Sequence, residues 1–101
     1  MSGLHSLRKS IITDQIDICF ICGSRKNIEA HHIFGASERD LSEKYGLVVP
    51  LCSVCHNHPR LGVHQDSENA QWMHEVGQRA FEMAGHSREE FKEIFKRGSY
   101  L

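Results

Sequence analysis

Four cysteines stand as two CxxC pairs, Cys19-Phe20-Ile21-Cys22 and Cys52-Ser53-Val54-Cys55, with 29 residues between them. A CxxC turn brings two thiolates within reach of one tetrahedral ion, and two such turns supply a complete ligand set. A redox dithiol would need one pair on a thioredoxin-like βαβ unit and would leave the other pair without a role. Disulfides belong to oxidising compartments, and no secretory leader precedes the first pair. The spacing therefore predicts a closed, structural Zn²⁺ site on Cys19, Cys22, Cys52 and Cys55. Such a site does no chemistry. It clamps the segment before one strand to the helix after another.

The chain also carries eight histidines. His31 and His32 are adjacent, His56 directly follows Cys55, and His58 and His64 lie close behind. Neighbouring residues on a strand point to opposite faces. If the chain bends after the pair, as Gly35 permits, one imidazole can hold a metal while the other serves as a base. Isolated histidines are usually surface residues or spare ligands. A closed four-cysteine site needs no imidazole, so a pair framed by the two knuckles with a third abutting the second knuckle points to a separate, open metal site. A helical His-Glu-x-x-His pair of the zinc-hydrolase kind is absent from the sequence.

These side chains need elements to position them. Ile16 to Ile21 alternates and predicts a short extended segment leading into the first knuckle. Ile28 to Ile33 predicts one strand and Leu47 to Leu51 a second running into Cys52, with Pro50 placing it at an edge or an end. Between them a short helix is expected, capped by Ser37 and ended by Gly46 in a left-handed turn. His56 then opens the next helix. Met73, Val76, Gly77, Ala80, Phe81 and Ala84 form an apolar stripe on a long helix capped by Asp66 or Ser67 and ended by Gly85. Trp72 and the methionines read as core. Ser87-Arg88-Glu89-Glu90 has capping-box form and opens a last helix carrying Phe91, Ile94 and Phe95, which Gly98 stops. Met1-Ser2-Gly3 reads as a cloning remnant outside the fold.

With 101 residues, 40% hydrophobic and 25% charged, the chain is expected to be one globular domain whose small core benefits from a metal staple. No apolar run reaches membrane-spanning length, so no membrane role and a cytoplasmic location are expected. The net charge of −1 lacks the basic footprint of most nucleic-acid binders. Arg8-Lys9, Arg25-Lys26 and Arg97 are local cations able to meet phosphates.

Cys19-x-x-Cys22, Ala30-His31-His32-Ile33 and Leu51-Cys52-Ser53-Val54-Cys55-His56 together resemble the zinc-knuckle branch of the HNH (His-Me finger) endonuclease family. Wider runs, His31 to Gly35, Gly46 to Val49, Cys55-His56-Asn57 and Gly77-Gln78-x-x-Phe81-Glu82, are similar to small HNH proteins of bacteriophages. The resemblance implies an α+β fold. A ββα-metal core spans about 16–65, and a C-terminal pair of helices spans about 66–97. It implies that His32 is the general base and that His31 and His56 hold a catalytic divalent ion, Mg²⁺ or Mn²⁺. His64 is a further ligand or phosphate contact, with His58 behind it. The implied reaction is hydrolysis of DNA phosphodiesters in phage or prophage DNA processing. The ligand imidazoles must be neutral, so activity is expected to fall below about pH 6.5. Where the family carries a middle asparagine, before the second strand, this chain has Tyr45, Gly46 and Leu47. The competing expectation is a non-catalytic zinc-ribbon module that binds nucleic acid or a protein. A homodimer through the apolar stripe is a further expectation, set against the monomer's own need for that stripe.

Overall fold

Two five-residue strands carry the histidine pair. In the computed structural model, which describes residues 2–58, 62, 63 and 67–101, β1 (Ile28–His32) and β2 (Val48–Cys52) run antiparallel. His31 faces Val49 in the ladder and His32 faces Val48. Both strands lie within a residue of their predicted positions, and Ile33 N–H still donates to Leu47 O at 3.0 Å just beyond them. A two-stranded ribbon is marginal alone in water. Here α1 (Ser2–Leu7) and α3 (Ser53–Asn57) pack on both strands, and every residue of β2 is buried. Pro50 gives no N–H to a ladder, but its carbonyl accepts Phe20 N–H at 2.8 Å, tying the first knuckle to the sheet edge.

The helix α1 takes in Ser2 and Gly3, which were expected to stand outside the fold. Leu7 is fully buried, a contribution of about 1.5–3 kcal/mol for a leucine. The alternation from Ile16 to Ile21 does not become extended structure; it is a run of turns and bends. Glycine at 23 in a left-handed conformation and two thiols bent towards one point require turns there.

Between the strands, a 3₁₀ turn at 36–38 leads into α2 (Arg39–Tyr45). Ser37 is therefore inside the 3₁₀ turn, and Glu38 occupies the cap position without a side-chain bond. Gly46 ends α2 at φ 72°, as predicted. Ser42, fully buried on α2, donates to Phe34 O at 2.7 Å and accepts from Phe34 N–H at 2.9 Å. Both backbone groups of the residue after Ile33 are thus satisfied by one hydroxyl, which fixes the chain as it leaves β1.

The second half is helical: α4 (Ser67–Met83) and α5 (Arg88–Phe95). Met73, Gly77, Gln78 and Phe81 are the buried face of α4, and Phe91 and Phe95 that of α5. Ser67 is the first residue of α4, and the alternative cap Asp66 lies outside the described residues. The Ser87–Glu90 capping box is present in both directions. Lys96, not Gly98, ends α5 in a left-handed conformation at φ 53°. Trp72 is 43% exposed, stacked on Phe20, and Met83 is 82% exposed. Their expected core places are taken by phenylalanines: Phe34 packs within 4.8–5.4 Å of Phe91, Phe95 and the His74 ring. Among the described residues no helix is long and apolar enough to cross a membrane.

Candidate metal centre and histidine cavity

The four cysteines converge. Their sulfurs lie within 4.8 Å of one another, and none is in a disulfide. Cys22 Sγ and Cys52 Sγ are 3.6 Å apart. That is far beyond the S–S bond of about 2.05 Å. It is close to the edge, about 3.8 Å, of a tetrahedron with metal–sulfur bonds of about 2.3 Å. Within each knuckle the last residue's amide points at the first sulfur, with Cys22 N to Cys19 Sγ and Cys55 N to Cys52 Sγ both at 3.5 Å. Such amides stabilise thiolate. Burial pushes the Cys19 thiol up, but N–H donors at Cys22, Cys52 and Ile21 outweigh it and bring it down to about 6. Burial and the neighbouring thiols push Cys55 up, since thiolates so close repel. A bound cation relieves that repulsion. The four cysteines are positioned to hold a metal ion.

The knuckle fixes the histidines next to it. α3 begins directly after Cys52, whose sulfur caps it, and His56 falls in its last turn. That is later in the helix than the sequence suggested, because the helix starts inside the CxxC motif. His56 Nδ1 lies 2.8 Å from Glu29 Oε1. The same oxygen accepts from Asn57 Nδ2 at 2.9 Å. Glu29 and His31 share one face of β1, and the His31 and His56 rings meet edge to face at 5.1 Å between centroids. His31 is only 6% exposed.

His32 points the other way at the strand end. Its Nε2 lies 2.7 Å from Glu43 Oε2 on α2. Glu43 also accepts Ser6 Oγ–H at 2.8 and 2.9 Å, and Lys9 Nζ is 3.4 Å away. The bonds from His32 and Ser6 hold the Glu43 carboxyl down at about 2, against the ordinary 4.5.

These two directions still meet in one space. A cavity of about 360 Å³ is lined by Ala30, His31, His32, Gly35, Ala36, Arg39 and His56. A second, of about 390 Å³, shares His31, His32, Gly35 and Ala36 and continues to Glu38, His74 and Arg97. At its far wall Arg97 Nη2 donates to Glu38 Oε2 at 2.8 Å and Nη1 to Tyr100 Oη at 2.7 Å, over the Phe34 ring. Burial works against the Arg97 charge, but Glu38 and Tyr100 outweigh it and hold the guanidinium protonated. His74 is pushed down from its usual range by burial and by Arg97. An apolar groove of similar size, lined by Ile11, Ile12, Val76 and Met83 among others, contains none of these histidines.

Of the residues expected in the site, the structure brings His31, His32 and His56 to one cavity. His58 ends α3 and lines neither histidine cavity. His64 lies outside the described residues. Among those residues, only the cysteines bring three or more ligand atoms of this kind together, so an ion on His31 and His56 would complete its shell with other oxygens. Glu29, Glu43, Ser42, Arg39 and His74 were not foreseen. Only Glu29 had a sequence signal, its two-residue offset from His31 on a strand. The others reach the site from helices whose orientation depends on tertiary packing.

No family model, curated protein or solved structure matches this chain.

Proposed function

We propose that the chain is a metal-dependent HNH-type endonuclease that hydrolyses DNA phosphodiester bonds, with a structural zinc on Cys19, Cys22, Cys52 and Cys55. The observation that carries this reading is the cavity shared by His31, His32 and His56. Three imidazoles from two elements are otherwise a poor filling for the interior of a small protein.

The donor set fits a catalytic ion. A carboxylate on one ring nitrogen of a histidine, as Glu29 is on His56, is the usual support for a ligand that binds through the other nitrogen. His31 and His56 would hold the ion. When bound, Mg²⁺ or Mn²⁺ supplies positive charge to the non-bridging and leaving oxygens of the phosphate. His32 takes the proton of the attacking water at its unprotonated ring nitrogen. Arg39, exposed on the cavity rim, meets a neighbouring phosphate. DNA is the partner, and a phage or prophage setting follows the resemblance. A second copy of the chain would meet the apolar groove around Met83, which takes in Val76, Ala80 and Ala84 of the α4 stripe, while Met73, Gly77 and Phe81 are buried within the monomer.

A non-catalytic zinc-ribbon module is the second reading, favoured by the exposed Trp72–Phe20 stack beside the first knuckle. A plasmid-nicking assay with and without Mg²⁺ or Mn²⁺, run beside His32→Ala, separates the two. Metal-dependent nicking lost in a folded, zinc-loaded His32→Ala supports the nuclease. Binding of DNA or a protein without cutting by either form overturns it in favour of the module.

A further inference from the structure

We propose that Glu43 is the positioning residue of His32, holding its ring by the Nε2 edge so that Nδ1 is the atom left to accept a proton. This deepens the nuclease reading and rests on it for its catalytic meaning, but the contact itself is independent of any reaction.

A carboxylate can only accept. The 2.7 Å separation between Glu43 Oε2 and His32 Nε2 therefore places the ring proton of a neutral His32 on Nε2. Nδ1 then keeps its lone pair. A ring free to choose tautomers would offer a base only part of the time, and a ring free to rotate would offer it in varying directions. Both freedoms are removed here. The side chain of His32 is only 7% exposed, so its plane is set by packing as well as by the bond.

Glu43 is itself held. Ser6 donates to both of its oxygens, and Lys9 stands nearby. Its neighbour Ser42 bonds both backbone groups of Phe34, two residues after His32. One turn of α2 therefore grips the end of β1 twice, by the loop backbone through Ser42 and by the imidazole through Glu43. The depressed Glu43 titration agrees with this, since the acceptor stays ionised at any working pH.

The test uses the full-length, zinc-loaded protein and the variants Glu43→Gln, Glu43→Asp and Glu43→Ala, with folding checked by thermal melting. Ring ¹⁵N spectra at one alkaline pH report the His32 tautomer. The wild type is expected to show Nε2 protonated and Nδ1 bare, and Glu43→Ala a mixture. In the nicking assay, Glu43→Ala is expected to lower kcat roughly 10–100-fold, the range for a lost outer-shell partner. KM for DNA is expected to stay within about twofold, since Glu43 touches no substrate. Glu43→Gln is expected to fall between Glu43→Ala and wild type, because an amide oxygen accepts the same bond without the charge. Glu43→Asp, too short to span the contact, is expected to behave as Glu43→Ala. A wild-type tautomer in folded Glu43→Ala, or unchanged kcat, would overturn the proposal. A locked tautomer in a wild-type protein that cuts nothing would keep the dyad and remove the nuclease.

Discussion

Gly77 sits in the middle of α4, where glycine ordinarily costs a helix about 1 kcal/mol relative to alanine. On propensity alone, Gly77→Ala should stabilise the protein. The packing predicts the opposite. A methyl at Gly77 would lie 2.6 Å from Ile33 Cγ2, 3.3 Å from Ile33 Cδ1 and 3.1 Å from Phe34 Cε2. Ile33 and Phe34 are both buried, and the Phe34 ring is wedged between His74, Phe91 and Phe95. Neither can withdraw freely. Overpacking of this kind costs about 1–3 kcal/mol. Offsetting the propensity gain leaves a net loss of about 1 kcal/mol, or a Tm lower by about 4–8 °C in a domain of this size. Gly98→Ala is the control: its methyl would meet open space, and a change within about 0.5 kcal/mol is expected. In an Ile33→Ala background, which removes the worst contact, the Gly77→Ala penalty should shrink. Thermal and urea melts of the wild type and the four variants measure all of this. A Tm raised by Gly77→Ala would refute the reasoning, because it would mean that α4 does not lie flush on the segment leaving the histidine pair.

Further outcomes follow from the same contacts. Zinc analysis should find one ion per chain in the wild type and less in Cys22→Ser. Chelation should unfold the protein, because zinc-site binding energies of about 10–16 kcal/mol match or exceed the whole stability of a small domain. Gln78 is fully buried, its amide donating to Glu82 and Ser99 and accepting from Tyr100 N–H. Gln78→Leu should cost about 1–3 kcal/mol by leaving the Tyr100 N–H without its acceptor and should open residues 97–101 to proteolysis. Glu43 titrates at about 2 in the fold and near 4.5 when unfolded, so the unfolded chain takes up the proton first. Its contribution to stability is complete above about pH 4.5 and is lost as the pH falls towards 2. Glu43→Gln should remove that part of the acid dependence, as read from urea midpoints against pH.

Much of this was legible in the chain because it is written locally. The knuckles are fixed by a three-residue spacing, the capping box at Ser87 by four residues and the end of α2 by one glycine. The convergence of His31 and His56 was also legible, since a knuckle and a strand end suffice to place them. What was not legible depends on how helices turn. Nothing near Glu43 in sequence distinguishes it from a solvated helix glutamate, and Ser42 looks like any polar residue of an exposed turn. Trp72 misled for the same reason: its size suggests burial, but the helix phase that buries Met73 and Gly77 turns Trp72 outward. The stretch from Ile16 to Ile21 alternates as a strand does, yet gathering thiols around a point requires turns.

The wall of the histidine cavity has a consequence for the order in which the protein is made. Arg97 closes that wall, and Tyr100 and Gln78 lock Arg97's segment in place. The knuckles and strands are complete at residue 55, but the cavity is not enclosed until residue 100 has left the ribosome. Synthesis therefore passes through a stage in which the four cysteines, positioned to hold a metal ion, can already gather while the histidines still face open water. Whatever the cavity binds, it can hold properly only once Arg97 and Tyr100 have joined the fold.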